Sequence, residues 1–289
     1  MSLPAETRLG AARLRVADLD ALTAFYERVV GLRVLERAGD LVRLGAGADG
    51  SATVALELLG RPHAPRRPAY SSGLFHNAFL VPSRAELARA LRRIAGAGWR
   101  LTGASDHLVS EAIYLRDPEG NGIEVYRDRP REDWPLEGGS IRMASDPLDL
   151  DDILAELDAG EPEPGPGDVA AGTRLGHVHL QSGALDAGGR FYEHALGLDV
   201  MVRWLPGALF LAAGGYHHHV GLNEWETRGA PAPPPDALGL ERFEVVLPRA
   251  EECRRAADRL AAAGFPPEEA GDGRLVHDPG GVGVLVRAA

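Results

Sequence analysis

The stretch YHHHVGLN, residues 216–223, sets three imidazoles side by side. In an extended chain successive side chains alternate faces, so His217 and His219 share one face and His218 takes the other. An imidazole with a pKa near 6.5 can move protons at neutral pH, and its nitrogens also ligate metals. Two more strand-like stretches carry histidine: GLFHNAFL with His76, and RLGHVHL with His177 and His179. His177 and His179 are two apart and share a face. Two apolar runs hold a carboxylate, VALELLG with Glu57 and IEVY with Glu124. Burying a carboxylate among such neighbours is costly unless it is paired or bound to a cation. Glycine-rich turns near residues 120 and 280 lack a phosphate-loop pattern, so no nucleotide is expected.

The elements that must position these groups emerge from internal repetition. Residues 8–37, RLGAARLRVADLDALTAFYERVVGLRVLER, run without a gap against residues 174–203, RLGHVHLQSGALDAGGRFYEHALGLDVMVR. Each reads as a strand, a loop, an amphipathic helix carrying Phe-Tyr, a Gly-Leu stop and a second strand. Gly31 and Gly197 fall where a helix C-cap belongs. A second unit also occurs twice, at 73–101 and 239–267, each with a strand ending near proline and a helix starting at Ser83 or Arg249. Ser83 with Glu86 is a capping box. Each copy later reaches an Asp-Pro turn, DPEGNGIEVY at 117–126 and DPGGVGVLV at 278–286.

The chain thus holds four strand-helix-strand-strand-strand modules, at 6–60, 73–127, 173–226 and 239–289. Residues 6–127 form an N-terminal pair of modules in sequence and 173–289 a C-terminal pair. Residues 128–172 are expected to be a linker, closing on GEPEPGPGDVAAG, a composition that cannot form a core. Its middle, DPLDLDDILAEL, reads as a short helix.

Bulk properties bound the function. A chain of 289 residues suits about two domains. The net charge of −11, with all 31 basic residues arginine, argues against nucleic acid or an anionic membrane as partner. One cysteine, Cys253, excludes an internal disulfide and a cysteine-rich zinc module. No basic head with a long apolar run opens the chain, and no apolar run approaches the roughly 20 residues that span a bilayer. A cytoplasmic protein is expected.

The module pattern resembles the vicinal oxygen chelate superfamily, which includes glyoxalase I, bleomycin-resistance proteins and extradiol ring-cleaving dioxygenases. Stretches 105–131, SDHLVSEAIYLRDPEGNGIEVYRDRPR, and 214–223, GGYHHHVGLN, resemble its four-module catechol-2,3-dioxygenase-like group most closely. The resemblance implies an α+β fold in which βαβββ modules pair into curved mixed sheets, with metal ligands on the first and last strand of a module. Those first-strand positions hold Ala11, His76, His177 and Arg242. The last-strand positions hold Glu57, Glu124, roughly His218, and Leu285.

Pairing module 73–127 with module 173–226 gives His76, Glu124 and His177, the two-histidine, one-carboxylate set of non-haem Fe(II), which Mn(II) shares. The rival contiguous pairing uses Glu57 and looks like a glyoxalase metal site. The resemblance further makes His218 an acid-base residue, Tyr114 a hydrogen-bond partner of a substrate oxygen, and His107 a second active-site histidine. His217 and His219 are assigned to packing around the site, and His63, His194 and His277 to the surface. The implied reaction is extradiol cleavage of a small aromatic diol with O2. A glyoxalase-type isomerase or lyase and a non-catalytic aromatic- or drug-sequestering protein are the alternatives. Self-association into a homo-oligomer is left open.

Overall fold

A computed structural model of the protein describes residues 2–47, 52–203 and 205–289. The first module runs β1 (Arg8–Val16), α1 (Leu19–Phe25), β2 (Arg33–Ala38), β3 (Leu41–Ala46) and β4 (Thr53–Gly60). The second runs β5 (Gly73–Leu80), α2 (Arg84–Gly96), β6 (Gly103–Asp106), β7 (Ser110–Arg116) and β8 (Gly122–Asp128). Residues 128–172 hold the short strands β9 (Leu136–Glu137), β10 (Ser140–Ile141) and β11 (Asp146–Pro147), then α3 (Leu150–Leu154). The third module runs β12 (Arg174–Gln181), α4 (Leu185–Gly189), β13 (Asp199–Val202), β14 (Ala208–Ala212) and β15 (Val220–Asn223). The fourth runs β16 (Gly239–Leu247), α5 (Ala250–Ala262), β17 (Glu268–Ala270), β18 (Gly273–His277) and β19 (Gly283–Ala288). The expected α+β class and the βαβββ order hold in all four modules.

Local chemistry explains the boundaries. The Ser83 hydroxyl accepts from the Glu86 backbone N–H at 3.2 Å and starts α2. Asp18 caps α1 in the same way, accepting from Ala21 N–H at 3.0 Å. The helices of modules one and three do not stop as α-helix. Each continues as a π-helical turn, Tyr26–Val30 and Arg190–Leu196. Gly31 and Gly197 then bond back to the carbonyls of Tyr26 and Tyr192, five residues earlier. Both glycines are left-handed, at φ +90° and +97°, a conformation that side-chain-bearing residues rarely adopt.

The strands form an eight-stranded sheet, ordered β17-β18-β19-β16-β1-β4-β3-β2, and a nine-stranded sheet, ordered β11-β6-β7-β8-β5-β12-β15-β14-β13. By contacts the chain divides into two compact units, residues 16–62 with 76–175, and residues 1–15 with 63–75 and 176–289. The first unit packs Phe25 against Tyr26 and Trp99, and Tyr26 edge-on to Phe79. The second packs Phe191 edge-on to Tyr192 and Phe265, with Phe243 buried. Each unit also carries a buried tyrosine–aspartate lock at its Asp-Pro turn. Tyr26 donates to Asp117 Oδ2 at 3.2 Å, and Tyr192 to Asp278 Oδ2 at 2.8 Å. Burial raises all four groups above their ordinary values, so both phenols keep their protons.

Two features differ from the sequence expectations. The triple histidine is a bend ahead of β15, not a strand, so strict alternation does not apply to it. Residues 128–172, expected as a linker with one short helix, also bury Trp134, Ile141 and Met143 in addition to Ile153 of that helix. Cys253 is buried on α5. Among the described residues no helix is long and apolar enough to cross a membrane.

Candidate metal centre

Register explains why His76 and Glu124 meet. β5 pairs in parallel with β8, setting Ala78 opposite Glu124. His76 lies two residues before Ala78 and so shares its face. The alanine methyl leaves room over this spot, and His76 Nε2 lies 2.9 Å from Glu124 Oε2. Ile123 and Val125 are buried on either side of Glu124. β7 runs antiparallel to β8 and sets Tyr114 directly opposite Glu124. The Tyr114 ring lies 5.6 Å from that of His76. Burial and then the neighbouring Glu124 carboxylate push the Tyr114 phenol well above its usual 10, so it stays protonated. His107, on the β6–β7 loop, sits 2.6 Å from the Tyr114 hydroxyl through Nε2 and 2.6 Å from the Ala144 carbonyl through Nδ1.

β12 carries His177, His179 and Gln181 on one face, all buried. The His177 and His218 rings lie 4.0 Å apart. His218 also meets Phe210 at 4.8 Å, and its Nδ1 lies 2.8 Å from His217 Nδ1. His219 Nδ1 accepts from the Ala213 N–H at 3.2 Å. All three adjacent histidines are buried. β12 pairs in parallel with β15, with His179 opposite Gly221. Gly221, three residues beyond His218, is therefore the structural counterpart of Glu124 in this module. The approximate placement of His218 at that last-strand position is corrected. In module four the counterpart is Leu285, opposite Glu244, as the aligned Asp-Pro turns implied.

Among the described residues, one group of side chains can hold a metal: His76, Glu124 and His177, all buried, offer ligand atoms within 4.8 Å of one another. Two imidazoles with one carboxylate suit a divalent first-row ion and leave positions open for other ligands. A cation also offsets the cost of burying the carboxylate. Glu57 is not in this group; its Oε1 accepts from Arg43 Nε at 3.0 Å. His63, His194 and His277 are exposed. Sequence reasoning missed the Ala144 carbonyl, because any residue type carries one. It also missed Asn223, whose Nδ2 lies 3.1 Å from His179 Nε2. Its place on an apolar strand, VGLN, was the available signal.

A family model described as the glyoxalase/bleomycin resistance protein/dioxygenase superfamily matches residues 8–125 and 174–286. The chain is 40% identical over 281 residues to a catechol-2,3-dioxygenase of Bacillus subtilis strain 168, covering 96% of each. Its coordinates resemble those of a putative dioxygenase from Bacillus subtilis, with a TM-score of 0.66, 14% identity, and coverage of 100% of this chain and 86% of that one. Glyoxalase I from Zea mays gives a TM-score of 0.59 at 17% identity, covering 97% and 92%. At these identities the two structures speak to fold alone.

Proposed function

The chain belongs to the glyoxalase/bleomycin resistance protein/dioxygenase superfamily, and from that premise we propose that it is an Fe(II)-dependent extradiol dioxygenase acting on a catechol-type aromatic diol with molecular oxygen. The likeness to a catechol-2,3-dioxygenase over 96% of both chains carries this reading. The donor chemistry of His76, Glu124 and His177 supports it. Held by these three, iron would supply Lewis acidity toward the diol and a route for electrons between diol and oxygen.

The chain's own residues supply the rest. His218, against His177, is the base that takes a proton from a substrate hydroxyl and later returns one. Tyr114, held protonated, hydrogen-bonds a substrate hydroxyl, accepting from it while its own proton points to His107. His107 orients the Tyr114 hydroxyl. Phe210 stacks edge-on to His218 and shields it from water. The buried setting of His218 and Phe210, and the half-buried setting of Tyr114 and His107, strengthen each electrostatic contact.

The glyoxalase-type alternative would recruit Glu57, but Arg43 already engages that carboxylate. The deciding experiment is metal analysis of protein purified without oxygen, alongside a catechol assay. About one iron per chain, with a yellow ring-opened product, is expected for this donor set. Stoichiometric binding of an aromatic ligand by metal-free protein, with no turnover after iron loading, would favour a sequestering protein instead.

A further inference from the structure

We propose that residues 129–147, outside the four βαβββ modules, are a strap that fixes the tautomer and orientation of His107, through the backbone carbonyl of Ala144. Its catalytic consequence rests on the dioxygenase reading; the positioning itself does not.

The geometry begins at the loop. Leu108, next to His107, has φ +68°, and it is the non-glycine residue with positive φ among those described. A leucine is held there only when its surroundings over-determine the backbone. Two anchors come from the loop itself: Asp106 Oδ1 accepts from Leu108 N–H at 2.8 Å, and His107 N–H donates to the Ser110 carbonyl at 2.8 Å. The others come from the strap. β11 pairs antiparallel with β6, Asp146 opposite Asp106 and Pro147 opposite Ser105. Ala144 N–H reaches back to the His107 carbonyl at 3.4 Å. Arg129 donates to Asp106 Oδ2 at 2.7 Å, and its backbone N–H to the Val109 carbonyl at 2.8 Å.

The strap is itself fastened. The Trp134 indole N–H donates to the Arg129 carbonyl at 2.9 Å. The side chains of Ile141 and Met143 are buried on either side of Arg142.

The consequence is a matter of donors and acceptors. A carbonyl oxygen only accepts, so the 2.6 Å contact with Ala144 requires a proton on His107 Nδ1. In the neutral ring Nε2 is then an acceptor, and the Tyr114 hydroxyl at 2.6 Å donates to it. The opposite tautomer would present Nε2–H to the phenol oxygen and turn the Tyr114 proton away, toward its other neighbour, Glu124. The strap therefore decides which way the phenol proton points. His107 is thereby ready to receive a proton passed along Tyr114. Ala144 acts through His107 and is a positioning residue.

The test is the ¹⁵N spectrum of the His107 ring in metal-free protein, at a pH where the imidazole is neutral, assigned with His107→Gln. Wild type is expected to show protonated Nδ1 and bare Nε2. Met143→Ala, which loosens the strap, should give a mixture of tautomers; Ile141→Ala serves if Met143→Ala does not fold. In the iron-loaded enzyme the same variant should lose about tenfold in kcat on catechol, with KM within about twofold. A proton on Nε2 in wild type, or an unchanged pure Nδ1–H ring in a folded strap variant, would overturn the proposal. A wild type with the predicted tautomer and no catechol turnover would instead sink the dioxygenase reading and leave the strap standing.

Discussion

Modules two and three solve one packing problem in opposite ways. In module two the first strand offers a small residue, Ala78, and the last strand a large one opposite it, Glu124. In module three the first strand offers the large residue, His179, and the last strand Gly221. A Cβ at Gly221 would lie 3.0 Å from the His179 ring, so any larger residue there would push that imidazole aside by a few tenths of an ångström. Module two thereby yields a histidine with a carboxylate, His76 and Glu124. Module three yields His177 with a neighbouring imidazole, His218. Module four, with Glu244 opposite Leu285, yields no such pair. One backbone template hosts each outcome, and the residues that face each other across the parallel pair differ among the three.

The comparison can be broken most severely at the ligands. Glu124→Ala should remove turnover by far more than the ~10–100-fold that loss of an outer partner costs, measured as initial rate on catechol with excess Fe(II). Next in size is His218→Gln, which should lower kcat by about 10²–10⁴ while iron content stays at the wild-type level. Equal loss of iron and rate would make His218 a ligand and erase the contrast between the modules.

Gly221→Ala should destabilise by about 1–3 kcal/mol, read from chemical denaturation, because the added methyl meets a ring in a packed interior. Adding His179→Ala should recover part of that loss, and strict additivity would show that the two residues do not share the space. Glu57→Gln should leave catechol turnover within about twofold of wild type, a change below 0.5 kcal/mol in the barrier.

The smallest effect concerns a feature that modules two and four share. Burial raises the Asp117 and Asp278 carboxyls above their ordinary range. Such a group binds its proton more tightly folded than unfolded. Its contribution to stability is present below the ordinary carboxylate value and is lost as pH rises through the raised one. Asp117→Asn should flatten the dependence of Tm on pH in that acid window, and so should Asp278→Asn.

Much of this was legible in the sequence because it is repeated there. Gly31 and Gly197 mark equivalent left-handed helix ends, and His76 and His177 stand at equivalent strand positions. Glu124 announced itself by being a carboxylate in an apolar run. The bend at 216–219 was not legible. Gly214 and Gly215 both take positive φ, and a Cβ on Gly214 would strike the backbone of Ala5, a contact distant in sequence. That turn delays the strand to Val220 and moves Glu124's counterpart to Gly221. The π-helical turns at Tyr26 and Tyr192 were hidden too, since one extra residue in a helical turn leaves the apolar pattern almost unchanged. The strap escaped notice because its key group is a backbone carbonyl within a polar segment.

The central claim is that His76, Glu124 and His177 hold one ion together. Anaerobic Fe(II) binding, measured by metal content after desalting, tests it directly in wild type and in His76→Ala, Glu124→Ala and His177→Ala. The account predicts about one tightly held iron per chain in wild type and its loss in all three variants. Iron retained by His177→Ala but lost from His76→Ala would contradict it.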